Sequence, residues 1–96
     1  MLIVHENAAV LELIERSLLA AGTVAVSTRD WFEAFEIARW VELDVLVVGD
    51  DGGGARDLRT FQPDVQVVEL GPPPVSLPAL VAEVAAARAK KNGGGP

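Results

Sequence analysis

The sequence predicts an α/β domain, an open parallel sheet of about four strands with helices on both faces. Three observations lead there. Short β-rich runs alternate with segments of helical periodicity along the whole chain. Capping or turn residues stand between them. Two of the runs, LIV at residues 2–4 and DVLVV at 44–48, are apolar without alternation, as strands covered on both faces are. Right-handed crossovers turn such an order into a parallel sheet.

The first strand, residues 2–4, ends where His5, Glu6 and Asn7 bring polar side chains. Asn7 is the N-cap of a first helix that places Val10, Leu13, Ile14, Ser17 and Leu18 on one side and stops at Gly22. Residues 23–27, TVAVS, alternate and form the second strand. Asp30 with Glu33 three positions on is a capping-box start for a second helix, with Ala34, Phe35, Ala38 and Val41 at helical intervals. After the third strand, GDDGGG reads as a polar turn, and ARDLRTF is long enough for about two helical turns before Pro63. Residues 65–70, VQVVEL, form the fourth strand. Pro72, Pro73 and Pro74 then break the chain, and Ser76 caps a last helix with Leu77, Leu80, Val81 and Val84 as its packing stripe.

The 96 residues suffice for one modest core, assigned to residues 1–90, with 91–96 as a flexible tail. Fourteen acids against 8 bases give a net charge of −6, which disfavours nucleic acid and anionic membrane surfaces as partners. Cysteine is absent and His5 is the one histidine, so thiolate catalysis, disulfides and multi-histidine zinc sites are excluded. The apolar run at the start is too short for a signal peptide, and no stretch approaches the roughly 20 apolar residues of a membrane span. The expected location is the cytoplasm.

LIVHEN at the first strand end resembles the LIVDD of the receiver domain of bacterial response regulators. AAVLELIERSLLAAGTVAVSTRDWFEAF is similar to that family's first helix, second strand and second helix. DVLVVGD, FQPDVQVVEL and PPVSLPALVAEV are similar to its third strand, its fourth strand and the approach to its last helix. The resemblance covers about residues 1–90. It implies a flavodoxin-like fold truncated by the fourth helix and fifth strand, for which residues 71–73 leave no room.

A receiver holds Mg²⁺ on two acids at the first strand end, phosphorylates an aspartate after the third strand, and places a hydroxyl and a lysine after the fourth and fifth. The carboxylates suit the hard cation, and metal and lysine together neutralise the transferred phosphoryl group. Carried onto this chain, the acid pair reads His5 and Glu6, the acceptor position Gly49, the hydroxyl position Gly71 and the lysine position Pro73. The resemblance therefore implies a phosphorylation-incompetent pseudo-receiver, a protein-interaction module in bacterial signalling or localisation, not an enzyme, with no cofactor and a protein partner of unknown identity.

Two alternatives stay open. In the first, Asp50 or Asp51 accepts phosphate, with Glu6 holding a weak Mg²⁺; Asp50 then needs a bulge or turn to face the site. In the second, the chain is a structural subunit that self-associates through the open edge of the fourth strand or by exchange of the last helix. The candidate interaction surface is aromatic. Trp31, Phe32 and Trp40 cannot all share the packing face of the second helix with Phe35, so at least one is expected in solvent as a binding anchor or lying flat over a thin core.

Overall fold

The computed structural model describes residues 1–49, 53–71 and 75–92. The elements in chain order are β1 (Leu2–Val4), α1 (Ala8–Ala20), β2 (Val26–Thr28), α2 (Trp31–Trp40), β3 (Val45–Val48), α3 (Gly54–Phe61), β4 (Gln66–Glu69) and α4 (Leu77–Asn92). The strands form one sheet in the order β2-β1-β3-β4, and every pairing is parallel. This is an α/β architecture consistent with a truncated flavodoxin-like fold. No helix among the described residues is long and apolar enough to cross a membrane.

The alternation of side chains along each strand explains the two apolar layers. Leu2, Val4, Leu46 and Val48 face one side, where Ala34 and Ala38 of α2 and Ala55 and Leu58 of α3 complete the layer. Ile3, Val45, Val47 and Val68 face the other, under Leu11, Ile14 and Leu18 of α1 and Leu80 and Val84 of α4. The reversal of strand order at β1 places α1 opposite α2 and α3, since each crossover keeps the same hand. Every residue of β1 and β3 is buried, which is the reason their sequences show no alternation.

Local chemistry sets the helix ends. Asn7 Oδ1 accepts the Ala9 and Val10 N–H groups at 2.9 and 3.2 Å, and Asp30 Oδ1 accepts that of Phe32 at 2.9 Å. The capping box at α2 is replaced by a different arrangement. The Asp30 N–H donates to Thr28 Oγ1 at 3.1 Å, the place a Glu33 carboxylate would have taken. At the end of α1, Gly22 adopts φ 85°, and the Gly22 and Thr23 N–H groups close on the Leu19 and Leu18 carbonyls at 2.9 and 2.8 Å. That closure uses Thr23 to finish the helix, so β2 begins at Val26 and not at residue 23.

Two packing assignments shift. Leu11, Ile14 and Leu18 form the buried stripe of α1, whereas Leu13 stands 54% exposed at its margin. Val41 is the exposed C-cap of α2, its carbonyl drawn to Gln62 Nε2. Gln62 also donates to the Ala38 carbonyl at 2.8 Å and accepts from the Leu43 N–H, so one side chain satisfies the backbone between α2 and β3. The last helix keeps its expected stripe and extends to Asn92.

Candidate functional site

β1 and β3 are neighbours whose chains leave in opposite directions, and in open parallel sheets the crevice beyond such a pair is where ligands and partners are met. Here it is an open crevice of about 1270 Å³. His5, Glu6, Asn7, Arg29, Gly49 and Glu69 supply its polar edge, and Val10, Leu70, Val75 and Leu77 its apolar wall.

The strand ends decide what stands at its centre. The His5 N–H donates to the Thr28 carbonyl at 3.2 Å and the Gly49 N–H to the Val4 carbonyl at 3.2 Å, so both residues prolong the ladder. His5 Nδ1 accepts the Asn7 N–H at 3.0 Å, which turns the imidazole inward. A Cβ on Gly49 would lie 2.7 Å from His5 Cδ2, so the ring occupies the space that a side chain at position 49 would need. Glu6 is exposed, and its carbonyl is held by Arg29 Nε at 2.9 Å. Gly71 is exposed at the far rim. Asp50, Asp51 and Pro73 lie outside the described residues. Among the described residues no group of three or more acidic or histidine side chains is placed to hold a metal ion.

The aromatic residues divide. Phe32 and Trp40 are 72% and 81% exposed, whereas Trp31 is half-buried. Trp31 lies 5.9 Å from Phe35, ring centre to ring centre, and its indole stands against Gly54 at the start of α3, where an added Cβ would collide with it. Trp31 is thus a packing residue, because its position at the first turn of α2 faces α3. Phe35 continues the contact to Phe61 at 6.0 Å. Phe61 is 55% exposed, and with Trp40 it borders a shallow groove of about 350 Å³ between the ends of α2 and α3, with Val41 and Pro63 in its wall and Arg39 and Asp64 at its rim. The exposed aromatic surface is therefore Trp40 with Phe61, and Phe32 stands apart, about 12 Å along the helix from Trp40.

Arg29 and Glu69 join the crevice, and Phe61 the groove, and neither Arg29 nor Glu69 has a local sequence signal of its own. Phe61 alone has a partial one, three residues after the buried Leu58, at the margin of the same helical stripe.

At the opposite end of the sheet, Asp44 Oδ1 pairs with the Met1 ammonium at 3.2 Å and accepts the Val45 N–H at 2.8 Å, while Oδ2 pairs with Arg88 Nε at 2.9 Å. Burial works to raise the Asp44 carboxyl, but the ammonium, the Val45 N–H and Arg88 outweigh it and hold the pKa below its ordinary value. Arg88 also donates to Thr23 Oγ1 at 3.2 Å, so this cluster ties α4 to the end of α1 and the start of β3.

No protein-family model matches this chain, and no curated protein matches it in sequence. The class the fold and site define is an open parallel α/β protein with a crevice at the carboxyl ends of its strands and an aromatic groove on its α2–α3 face.

Proposed function

We propose that this chain is a phosphorylation-independent protein-interaction module, a pseudo-receiver adaptor in a bacterial signalling or localisation system, acting in the cytoplasm with neither an enzymatic step nor a cofactor. The observation that carries the reading is Trp40, 81% exposed beside Phe61 over a groove between two helix ends. An indole left in water contributes little to the free fold. Covering it in a complex removes its apolar surface from water, worth about 25 cal/mol per Å², and tryptophan is among the residues that dominate interface energetics. The His5 ring over Gly49 supports phosphorylation independence, since the position matching a receiver's acceptor has no carboxylate and its space is taken by the imidazole. The net charge of −6 favours a partner with a neutral or basic face.

Two measurements test the proposal. Capture from bacterial lysate by immobilised wild type, Trp40→Ala and Phe61→Ala should yield proteins that the wild type retains and both variants lose; identical capture by all three counts against the groove. Treatment with a small-molecule phosphodonor and Mg²⁺, read by intact mass, should leave the chain unchanged. A stable phosphoryl increment that disappears in Asp50→Asn or Asp51→Asn favours the phosphoacceptor reading instead.

A further inference from the structure

β4 closes one end of the sheet, and no strand among the described residues lies beyond it. The Gln66 N–H donates to the Asp44 carbonyl at 3.0 Å and the Leu70 N–H to the Val48 carbonyl at 2.7 Å. In a parallel ladder, alternate residues of a strand turn their backbone groups to the same neighbour. Gln66, Val68 and Leu70 therefore face β3, and Val67 and Glu69 turn N–H and C=O outward. The other edge offers less. The Val26 N–H donates to the Met1 carbonyl and the His5 N–H to the Thr28 carbonyl, so Val26 and Thr28 face β1 and within β2 only Ser27 looks out.

We infer that the β4 edge is a homodimer interface, in which β4 pairs antiparallel with the same strand of a second copy about a two-fold axis at Val68. Outward residues must oppose outward residues, and that condition leaves few registers. With the axis at Val68, Val67 of each copy faces Glu69 of the other, and the two pairs exchange about four backbone hydrogen bonds. Val68 then faces its own copy, extending the apolar layer that it shares with Leu80 and Val84. Moving the axis to Val67 sets Val65 against Glu69, but the Val65 N–H is already given to the Gln62 carbonyl at 3.2 Å. Moving it to Glu69 sets two carboxylates face to face, which is unfavourable. The register at Val68 thus satisfies the edge without a like-charge pair, and a strand of this sequence is complementary to itself.

Each copy carries a charge of −6, so the two repel at long range and salt strengthens the dimer by screening that repulsion. An interface with a basic partner would respond to salt in the opposite sense. The edge is separate from the aromatic groove, so this inference stands whether or not the groove binds a partner.

The test is sedimentation equilibrium over a wide concentration range at low and high salt, with amide exchange followed residue by residue. The expected result is a reversible dimer, tighter at high salt, in which the Val67 and Glu69 amides exchange roughly tenfold more slowly than in the dilute monomer. Val67→Pro removes an N–H that makes no bond to β3 and places a ring across the edge, so it should give a folded monomer. Glu69→Pro does the same at an exposed position, should Val67→Pro disturb the packing under α3. Monomer at every concentration overturns the inference and leaves the edge to a strand from another protein. So does a dimer whose Val67 and Glu69 amides exchange as in the monomer, or one that persists in a folded proline variant.

Discussion

Gly49→Ala probes the centre of the crevice, because the three atoms nearest the new Cβ all belong to His5, the closest at 2.7 Å. The fold has two responses. If the ring stays, the chain must give way, at about 1–3 kcal/mol for overpacking. If the ring swings out, it gives up the Asn7 N–H at 3.0 Å, a loss of about 0.5–1.5 kcal/mol. The second response is the cheaper, so it sets the penalty near 1 kcal/mol. Against this, alanine narrows the unfolded ensemble, a gain of about 0.4–1 kcal/mol where the native backbone is compatible. Gly49 is not among the glycines with positive φ, so that gain is realised. The single variant therefore lies close to wild type, and the collision appears only in a double-mutant cycle. In the His5→Ala background, Gly49→Ala should stabilise by about 0.4–1 kcal/mol, giving a coupling energy near 1 kcal/mol. Urea unfolding of the four proteins, followed by tryptophan fluorescence, measures it. A cycle that closes to within about 0.3 kcal/mol would refute the claim that His5 fills the space above Gly49.

Gln62→Ala removes the side-chain bonds to the Leu43 N–H and to the Ala38 and Val41 carbonyls and should lower stability by about 1–3 kcal/mol in denaturant unfolding. Asp44→Asn tests the cluster at the foot of the sheet. Because the folded carboxyl titrates below its unfolded value, its contribution is fully present above about pH 4 and is lost as pH falls through the folded pKa. The wild type should therefore lose stability in acid more steeply than Asp44→Asn, and parallel acid limbs would exclude Asp44 as the cause. Trp31→Ala removes a packed indole and should cost more than 1 kcal/mol, while Trp40→Ala should stay within about 0.5 kcal/mol of wild type. Equal losses in thermal unfolding would contradict their different burial.

Much of this fold could be read along the chain because its signals are local. Asn7 and Asp30 cap their helices through their own side chains, and Gly22 supplies the one backbone conformation that closes α1. The unbroken apolar runs at β1 and β3 reflect burial on both faces, a property of their place in any parallel sheet. The stripe of α4 follows from its period.

What the local signals leave undecided depends on neighbours distant in sequence. The periodicity of α1 admits Leu13 as readily as Leu11, and only the direction from which the sheet approaches chooses Leu11. On α2, spacing requires that some aromatic be exposed; the arrival of α3, with Gly54 beneath the Trp31 indole, decides that Trp31 is covered and Trp40 is not. The crevice gains Arg29 and Glu69 from β-strand ends that no motif connects to His5. The sequence alone determined the order of elements and the absence of a carboxylate at position 49, because capping, periodicity and residue chemistry act within a few residues. Only tertiary structure decided which face each helix buries, what fills the space above Gly49 and which backbone groups of β4 look outward, because those depend on contacts that exist only once separate elements pack together.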